Sequence, residues 1–211
     1  MTKVIAFSLW GNNPKYTIGA VRNAEIAKEV YSDWVCRYYI SEDVNKDIIK
    51  KLEGLGSEIV SMGATGWNGM FWRFFAADSE DTMISRDTDS RLCHREKAAV
   101  DAWLASDKDF HIMRDHPYHA TEILGGMWGV RNGLLKGITD MVEVYDKREF
   151  DNKYQVDQNF LREVIYQKVL HTSIVHDEFF ERSGWPSNAP SRTNTYFVGQ
   201  VYDHMDRPEF S

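Results

Sequence analysis

The chain has 211 residues, 43% hydrophobic and 13% aromatic, which suits a folded globular domain and is too apolar for a disordered one. Lys and Arg number 25 against 32 Asp and Glu, and the formal charge of -7 opposes a polyanionic backbone, so nucleic acid is excluded as the expected partner. The two cysteines, Cys36 and Cys93, are too few for a disulfide framework and form no Cys-x-x-Cys pair, which points to a reducing compartment.

Residues 4–7, Val-Ile-Ala-Phe, are continuously apolar, as a strand buried on both faces must be, and they run into a loop at 8–14. Residues 17–34 place Ile18, Val21, Ala24, Ala27, Val30, Tyr31 and Trp34 on one helical stripe. A strand over 35–40, a helix over 44–52 stopped by Gly54 and Gly56, and a strand over 58–62 follow. Three strands with two crossovers have the rhythm of a mononucleotide-binding half.

Past a glycine-spaced loop at 63–69, the pattern predicts an aromatic helix over 70–77, a strand over 82–85 and a helix over 92–105. A strand over 110–113, a His-rich loop, the segment 125–131 and a helix over 157–170 come next. Short strands near 174–175 and 196–198 close the chain. No linker or low-complexity stretch divides it, so the expected architecture is an α/β sandwich, mostly parallel in its first half. The apolar run at 4–9 is far shorter than the roughly 20 residues of a membrane span and has no signal-peptide pattern.

Asp87-Thr88-Asp89 stands at the carboxyl end of the strand over 82–85, where open α/β sheets bind ligands. Two hard oxygen ligands there suit Mg²⁺ or Mn²⁺ bridging a diphosphate, although turn and cap aspartates would look the same. A second triplet, Asp107-Lys108-Asp109, lacks the preceding buried strand. Asp157-Gln158 opens a helix, where an acidic residue suits the dipole with no function required. His176 adjoins a short apolar stretch and reads equally as a structural side chain. The segment Gly125-Gly126-Met127-Trp128-Gly129 permits either close backbone approach or a tight turn. Asp115-His116-Pro117-Tyr118-His119 concentrates donors, acceptors and an aromatic ring in one loop.

Taken in order, the strand running into Ser8-Leu9-Trp10-Gly11, the aromatic helix with Arg73, Asp87-x-Asp89, the glycines at 125–129 and Asp157-Gln158 resemble a GT-A glycosyltransferase of the metal-dependent, retaining branch. Ser85-Arg86-Asp87-Thr88-Asp89-Ser90-Arg91, Met113-Arg114-Asp115-His116-Pro117 and Phe197-Val198-Gly199-Gln200 are similar to viral and bacterial glycan-building members, those of chlorella viruses above all. The resemblance covers nearly the whole chain. It implies a GT-A type, Rossmann-like α/β/α sandwich with a mostly parallel central sheet, as a single domain over 1–211. Residues 1–107 would bind the nucleotide sugar and 108–211 the acceptor.

The resemblance further implies transfer of a hexose or deoxyhexose from a UDP-sugar donor to a glycan acceptor, with Mn²⁺ or Mg²⁺ as cofactor and retention of anomeric configuration. Ser8, Leu9, Trp10 and Tyr16 would surround base and ribose, Arg73 would reach the donor, and Gly126 would allow its close approach. Asp87 would face ribose and sugar and adjoin the metal held by Asp89. Asp157 and Gln158 would face the anomeric carbon, and Asp115, His116 and His119 the acceptor, with Asp115 or a neighbour as general base if the enzyme inverts. The family places a metal-ligating His where this chain has Val198-Gly199, so the third ligand would be His176, preferred for its place after a strand, or His204, or none. Arg192 would add a second positive charge.

A cytoplasmic location is expected, in a host cell if the protein is viral, and the end at Ser211 is compatible with one module of a longer polypeptide. Two other readings compete. A metal-dependent nucleotidyltransferase is disfavoured because Asn12-Asn13-Pro14-Lys15 replaces a glycine-rich phosphate loop. A non-catalytic carbohydrate-binding domain would use exposed aromatic rings alone.

Overall fold

A computed structural model of the chain describes residues 2–63, 66–78 and 82–209, so residues 64 and 65 of the loop expected at 63–69 lie outside the described residues. Strand β1 (Lys3–Leu9) sends Val4 and Ala6 into one apolar cluster and Ile5, Phe7 and Leu9 into another. Alternation across the pleat therefore requires two cores, one on each face, and explains why the run is apolar throughout. Among the described residues six further strands join it: β2 (Val35–Ile40), β3 (Glu58–Ser61), β4 (Thr82–Ser85), β5 (Phe110–Arg114), β6 (Trp128–Val130) and β7 (Ser173–Asp177). Their order is β3-β2-β1-β4-β6-β5-β7, and of these seven strands only β6 runs antiparallel to its neighbours.

Helices α1 (Pro14–Val30), α2 (Lys46–Gly54) and α3 (His94–Ala105) bury Ala20, Ala24, Leu52, Val100 and Trp103 in the cluster that holds Ile5 and Phe7. The opposite face carries a 3₁₀ helix (Trp67–Asp78), α4 (Ile138–Asp146) and α5 (Val156–Phe160), the last continuing through a π-helical turn (Leu161–Ile165) into α6 (Tyr166–Val169). The result is the expected α/β/α sandwich around a mostly parallel sheet.

Local chemistry accounts for the departures. Helix α1 starts at Pro14 rather than Thr17, because Asn13 caps it by accepting from the Lys15 amide and proline presets the first φ. The aromatic helix is 3₁₀, whose three-residue turn brings Met70 and Arg73 to the same side. The helix expected over 157–170 is interrupted by its π turn. His176 and Asp177 lie inside β7 rather than after a strand. Residues 196–198 form no strand: Thr193 and Tyr196 make an isolated bridge, and the Gln200 amide closes a turn onto the Phe197 carbonyl. Helix α4 was not anticipated, although Ile138, Val142 and Tyr145 mark its buried side. Among the described residues, no helix is long and apolar enough to cross a membrane.

Candidate active site

Strands β1 and β4 are adjacent and parallel, so their carboxyl ends deliver Leu9 and Trp10 on one side and Asp87 on the other to a single rim. A cleft of about 510 Å³ opens there. Ser8, Leu9, Trp10 and Tyr16 line it from β1 and the start of α1, Met70 and Arg73 from the 3₁₀ helix, and Asp87, Thr88 and Asp89 from the loop after β4. Asp157 and Gln158 join the lining from α5.

Arg73 is the hub. Its side chain is buried, its Nη2 donates to Asp157 Oδ2 over 2.8 Å, and its Nη1 stands 3.1 Å from Asp87 Oδ1. Its Nε donates to the Gly125 carbonyl at 3.2 Å, and its amide donates to Ser8 Oγ at 2.9 Å. Such a fork is pre-organised by its planarity and loses little freedom per bond formed. Asp157 lies in the first turn of α5, and its Oδ1 accepts from the Gln158 amide. Burial raises the Asp157 carboxyl above its usual range, and Arg73 opposes that shift.

Two glycines bring the backbone against this cluster. A Cβ at Gly126 would run into the Asp87 carboxylate, and one at Gly125 would meet both Arg73 Nη2 and Asp157 Oδ2 at 2.5 Å. The Gly125 carbonyl is held by Ser85 Oγ at 2.7 Å. On the other flank, α1 docks under the aspartate loop. A Cβ at Gly19 would collide with the Thr88 carbonyl, while buried Asn23 donates to the Ser90 carbonyl and accepts from the Leu92 amide. The loop is thus set from below by α1 and from the side by residues 125 and 126.

Asp89 is mostly shielded, and burial together with the Asp87 charge raises its carboxyl to about 6. Lys15 Nζ lies 3.6 Å from Asp89 Oδ2 and 2.5 Å from Glu209 Oε2. The segment 201–209 crosses this loop: Val201 bridges Ser90, the Tyr202 amide donates to the Asp89 carbonyl at 2.8 Å, and Asp206 pairs with Arg22 and Arg91.

The donor-set chemistry fits a divalent cation that is shared with a ligand. Among the described residues, no cluster of three or more His, Cys, Asp or Glu forms. What the rim offers is two carboxylates whose mutual repulsion a cation relieves, the pattern of Mg²⁺-type sites completed by substrate phosphates.

Other expected site residues stand elsewhere. Asp115 is fully buried, bonded twice at 2.8 Å by Arg95 and once by the Val198 amide, so its carboxylate is an internal anchor and does not line the cleft. His176 pairs its Nδ1 with His111 Nε2 at 2.8 Å, on a strand three places from β4. Three strand spacings are about 14 Å, so the structure does not bring His176 to Asp89. Exposed His204 belongs to the segment that crosses Asp89. His116 stacks on Phe197 with ring centres 4.5 Å apart, beside exposed Tyr118 and half-buried His119, on the loop that follows β5. Arg192 packs over Phe179 and is not part of the cleft lining.

Sequence reading missed Met70, Tyr154, Gln155 and Val201 in the lining, and Lys15, Gly19 and Asn23 around it, while Gly125 does make the close backbone approach that its glycine-rich segment allowed. For Met70 the signal was its three-residue spacing from Arg73. For Val201 and Lys15 there was none, because only the tertiary fold carries the carboxyl-terminal segment to α1.

The chain matches no protein-family model and no curated protein. Solved structures do match. One is a glycosyltransferase involved in glycosylation of the major capsid of PBCV-1, with TM-score 0.56, 14% identity, and coverage of 84% of this chain and 82% of that one. Another is glucosyl-3-phosphoglycerate synthase from Mycobacterium tuberculosis in complex with Mn²⁺, UDP and phosphoglyceric acid, with TM-score 0.50, 15% identity, and coverage of 91% and 72%. A third is mannosyl-3-phosphoglycerate synthase from Rubrobacter xylanophilus, with TM-score 0.50, 14% identity, and coverage of 84% and 65%. The fold is the GT-A glycosyltransferase fold, and at these identities the likeness speaks for the fold.

Proposed function

We propose that the protein is a glycosyltransferase that moves a hexose or deoxyhexose from a UDP-sugar to a glycan or other small hydroxyl acceptor, dependent on Mn²⁺ or Mg²⁺, with retention. The observation that carries this reading is the Arg73 bridge between Asp87 and Asp157, set in a 510 Å³ cleft at the carboxyl rim of β1 and β4. A structural neighbour of the same fold is described with Mn²⁺ and UDP, which supports the donor class.

Trp10 and Tyr16 give an aromatic and hydroxyl-bearing wall for base and ribose, with Ser8 holding the Arg73 backbone behind it. Asp89 and Asp87 would hold the cation. When bound, it supplies positive charge to the diphosphate leaving group. Arg73 adds a fixed cation on the other side of Asp87 and locks the Asp157 carboxylate in one orientation, so that Asp157 accepts from sugar hydroxyls rather than abstracting a proton. Half-buried Gln158, next to Asp157 in the lining, would face the anomeric centre. Asp115 is internal and tied to Arg95, so it would not serve as the base beside the acceptor loop. The retaining reading needs no dedicated base, since front-face displacement relies on positioning and charge, which the Arg73 fork supplies. Residues 1–107 would supply most of the donor cleft, joined by Tyr154, Gln155, Asp157, Gln158 and Val201 of the second half, whose His116, Tyr118 and His119 would meet the acceptor.

A screen of nucleotide sugars with Mn²⁺, following release of nucleoside diphosphate, tests the reading. Turnover by the wild type and its loss in Asp89→Ala is expected. Pyrophosphate release from a nucleoside triphosphate would indicate a nucleotidyltransferase instead, and glycan binding without turnover a binding domain.

A further inference from the structure

We propose that Lys15 is a built-in cation at Asp89 that opposes divalent metal until a nucleoside diphosphate arrives, with Glu209 receiving the ammonium when it withdraws. The inference rests on the donor-site reading above and concerns how that site is loaded.

Lys15 is anchored at the first turn of α1, between Pro14 and Tyr16, where Asn13 fixes its amide. Its Nζ is shared by two carboxylates, 3.6 Å from Asp89 Oδ2 and 2.5 Å from Glu209 Oε2. The two acceptors are mechanically linked. The Glu209 amide donates to the Val201 carbonyl at 2.8 Å, Val201 bridges Ser90, and the Tyr202 amide donates to the Asp89 carbonyl at 2.8 Å. The ammonium therefore has one partner on the metal-facing loop and a second on the segment that straps this loop.

A dication placed on Asp89 would meet that ammonium, and near it the Arg73 guanidinium that stands 3.1 Å from Asp87. Repulsion between charges a few ångströms apart in a shielded cleft is large enough to decide occupancy. A nucleoside diphosphate brings the negative charge that offsets all three cations. Metal and nucleotide must then each tighten the other, and Lys15 sets the size of that coupling. Withdrawal costs little, because the shorter of the two contacts made by Lys15 is already the one to Glu209.

The test is Mn²⁺ binding to the full chain, measured by electron paramagnetic resonance with and without UDP, in the wild type, Lys15→Met, Lys15→Arg and Glu209→Gln. For Lys15→Met, Mn²⁺ alone should bind about tenfold tighter, and the tightening of Mn²⁺ by UDP should shrink by the same factor. Lys15→Arg should behave as the wild type. Glu209→Gln, which leaves the ammonium to Asp89, should weaken Mn²⁺ alone, and it carries the test by itself should Lys15→Met fail to fold. If Lys15→Met binds Mn²⁺ alone no more tightly than the wild type, or Glu209→Gln binds it more tightly, while UDP and Mn²⁺ still bind jointly, the inference falls and the donor site stands. If the wild type shows no joint binding, the donor-site reading falls and takes the inference with it.

Discussion

Arg73 donates to Asp157 over 2.8 Å and reaches Asp87 at 3.1 Å, so one buried guanidinium ties a carboxylate that follows β4 to a carboxylate that opens α5. Parts of the chain seventy residues apart are held in one geometry by this fork. Removing it leaves Asp157 buried without its counter-charge.

Arg73→Met should destabilise the fold by about 3 kcal/mol, the lower end of what breaking a buried pair costs. Arg73→Lys should recover part of that stability but not UDP affinity, because an ammonium cannot hold both carboxylates in one plane. Urea denaturation followed by UDP titration separates the two effects. Equal UDP affinity in Arg73→Lys and the wild type would show that the fork has no bearing on the donor.

Gly126→Ala places a methyl group against the Asp87 carboxylate. Overpacking of this kind costs about 1–3 kcal/mol, and here the displaced group faces the cleft. The expected outcome is a folded protein with UDP and Mn²⁺ affinity reduced at least about tenfold, the order at which site displacements become visible. Unchanged affinity would mean that Asp87 is free to move without consequence.

Asp115→Asn distinguishes an anchor from a base. As an anchor for Arg95 and the Val198 amide, its loss should lower stability by about 3 kcal/mol. Unaltered denaturation with collapsed turnover would restore the catalytic reading.

Acid should weaken the fold through histidines that it holds largely away from water. Burial holds His119 and His176 at about 4, and His111 well below its usual value of 6.5. Depressed values mean that the folded state prefers neutral rings, so the stability they contribute is present above about pH 6.5 and is lost as pH falls toward 4. Denaturation midpoints measured between pH 7 and 4 should fall, and less steeply in the double variant His111→Phe, His176→Leu. Equal slopes would place the acid response elsewhere.

Much of this architecture was legible from the sequence for identifiable reasons. The continuous run of β1 demanded two covered faces, and both clusters are present. Ser8, Trp10, Tyr16, Arg73, Asp87, Asp89, Asp157 and Gln158 do converge on one cleft. What failed depended on long-range register. Diagonal placement across β5 and β7 brings His111 and His176 together, and no local pattern announces that pairing. Strand β6 has three residues, too few for alternation to show. Apolar Phe197 and Val198 suggested a strand but are buried in a turn, where packing rather than a ladder requires them.

Calorimetric titration of UDP into the protein, with and without Mn²⁺, for the wild type and Asp89→Asn, addresses the central claim most directly. Mn²⁺ should tighten UDP binding to the wild type by a factor of about 5–150, the ordinary range of coupled sites, and should leave Asp89→Asn indifferent to the metal. The same metal-dependent tightening in Asp89→Asn, or none in the wild type, would contradict the account.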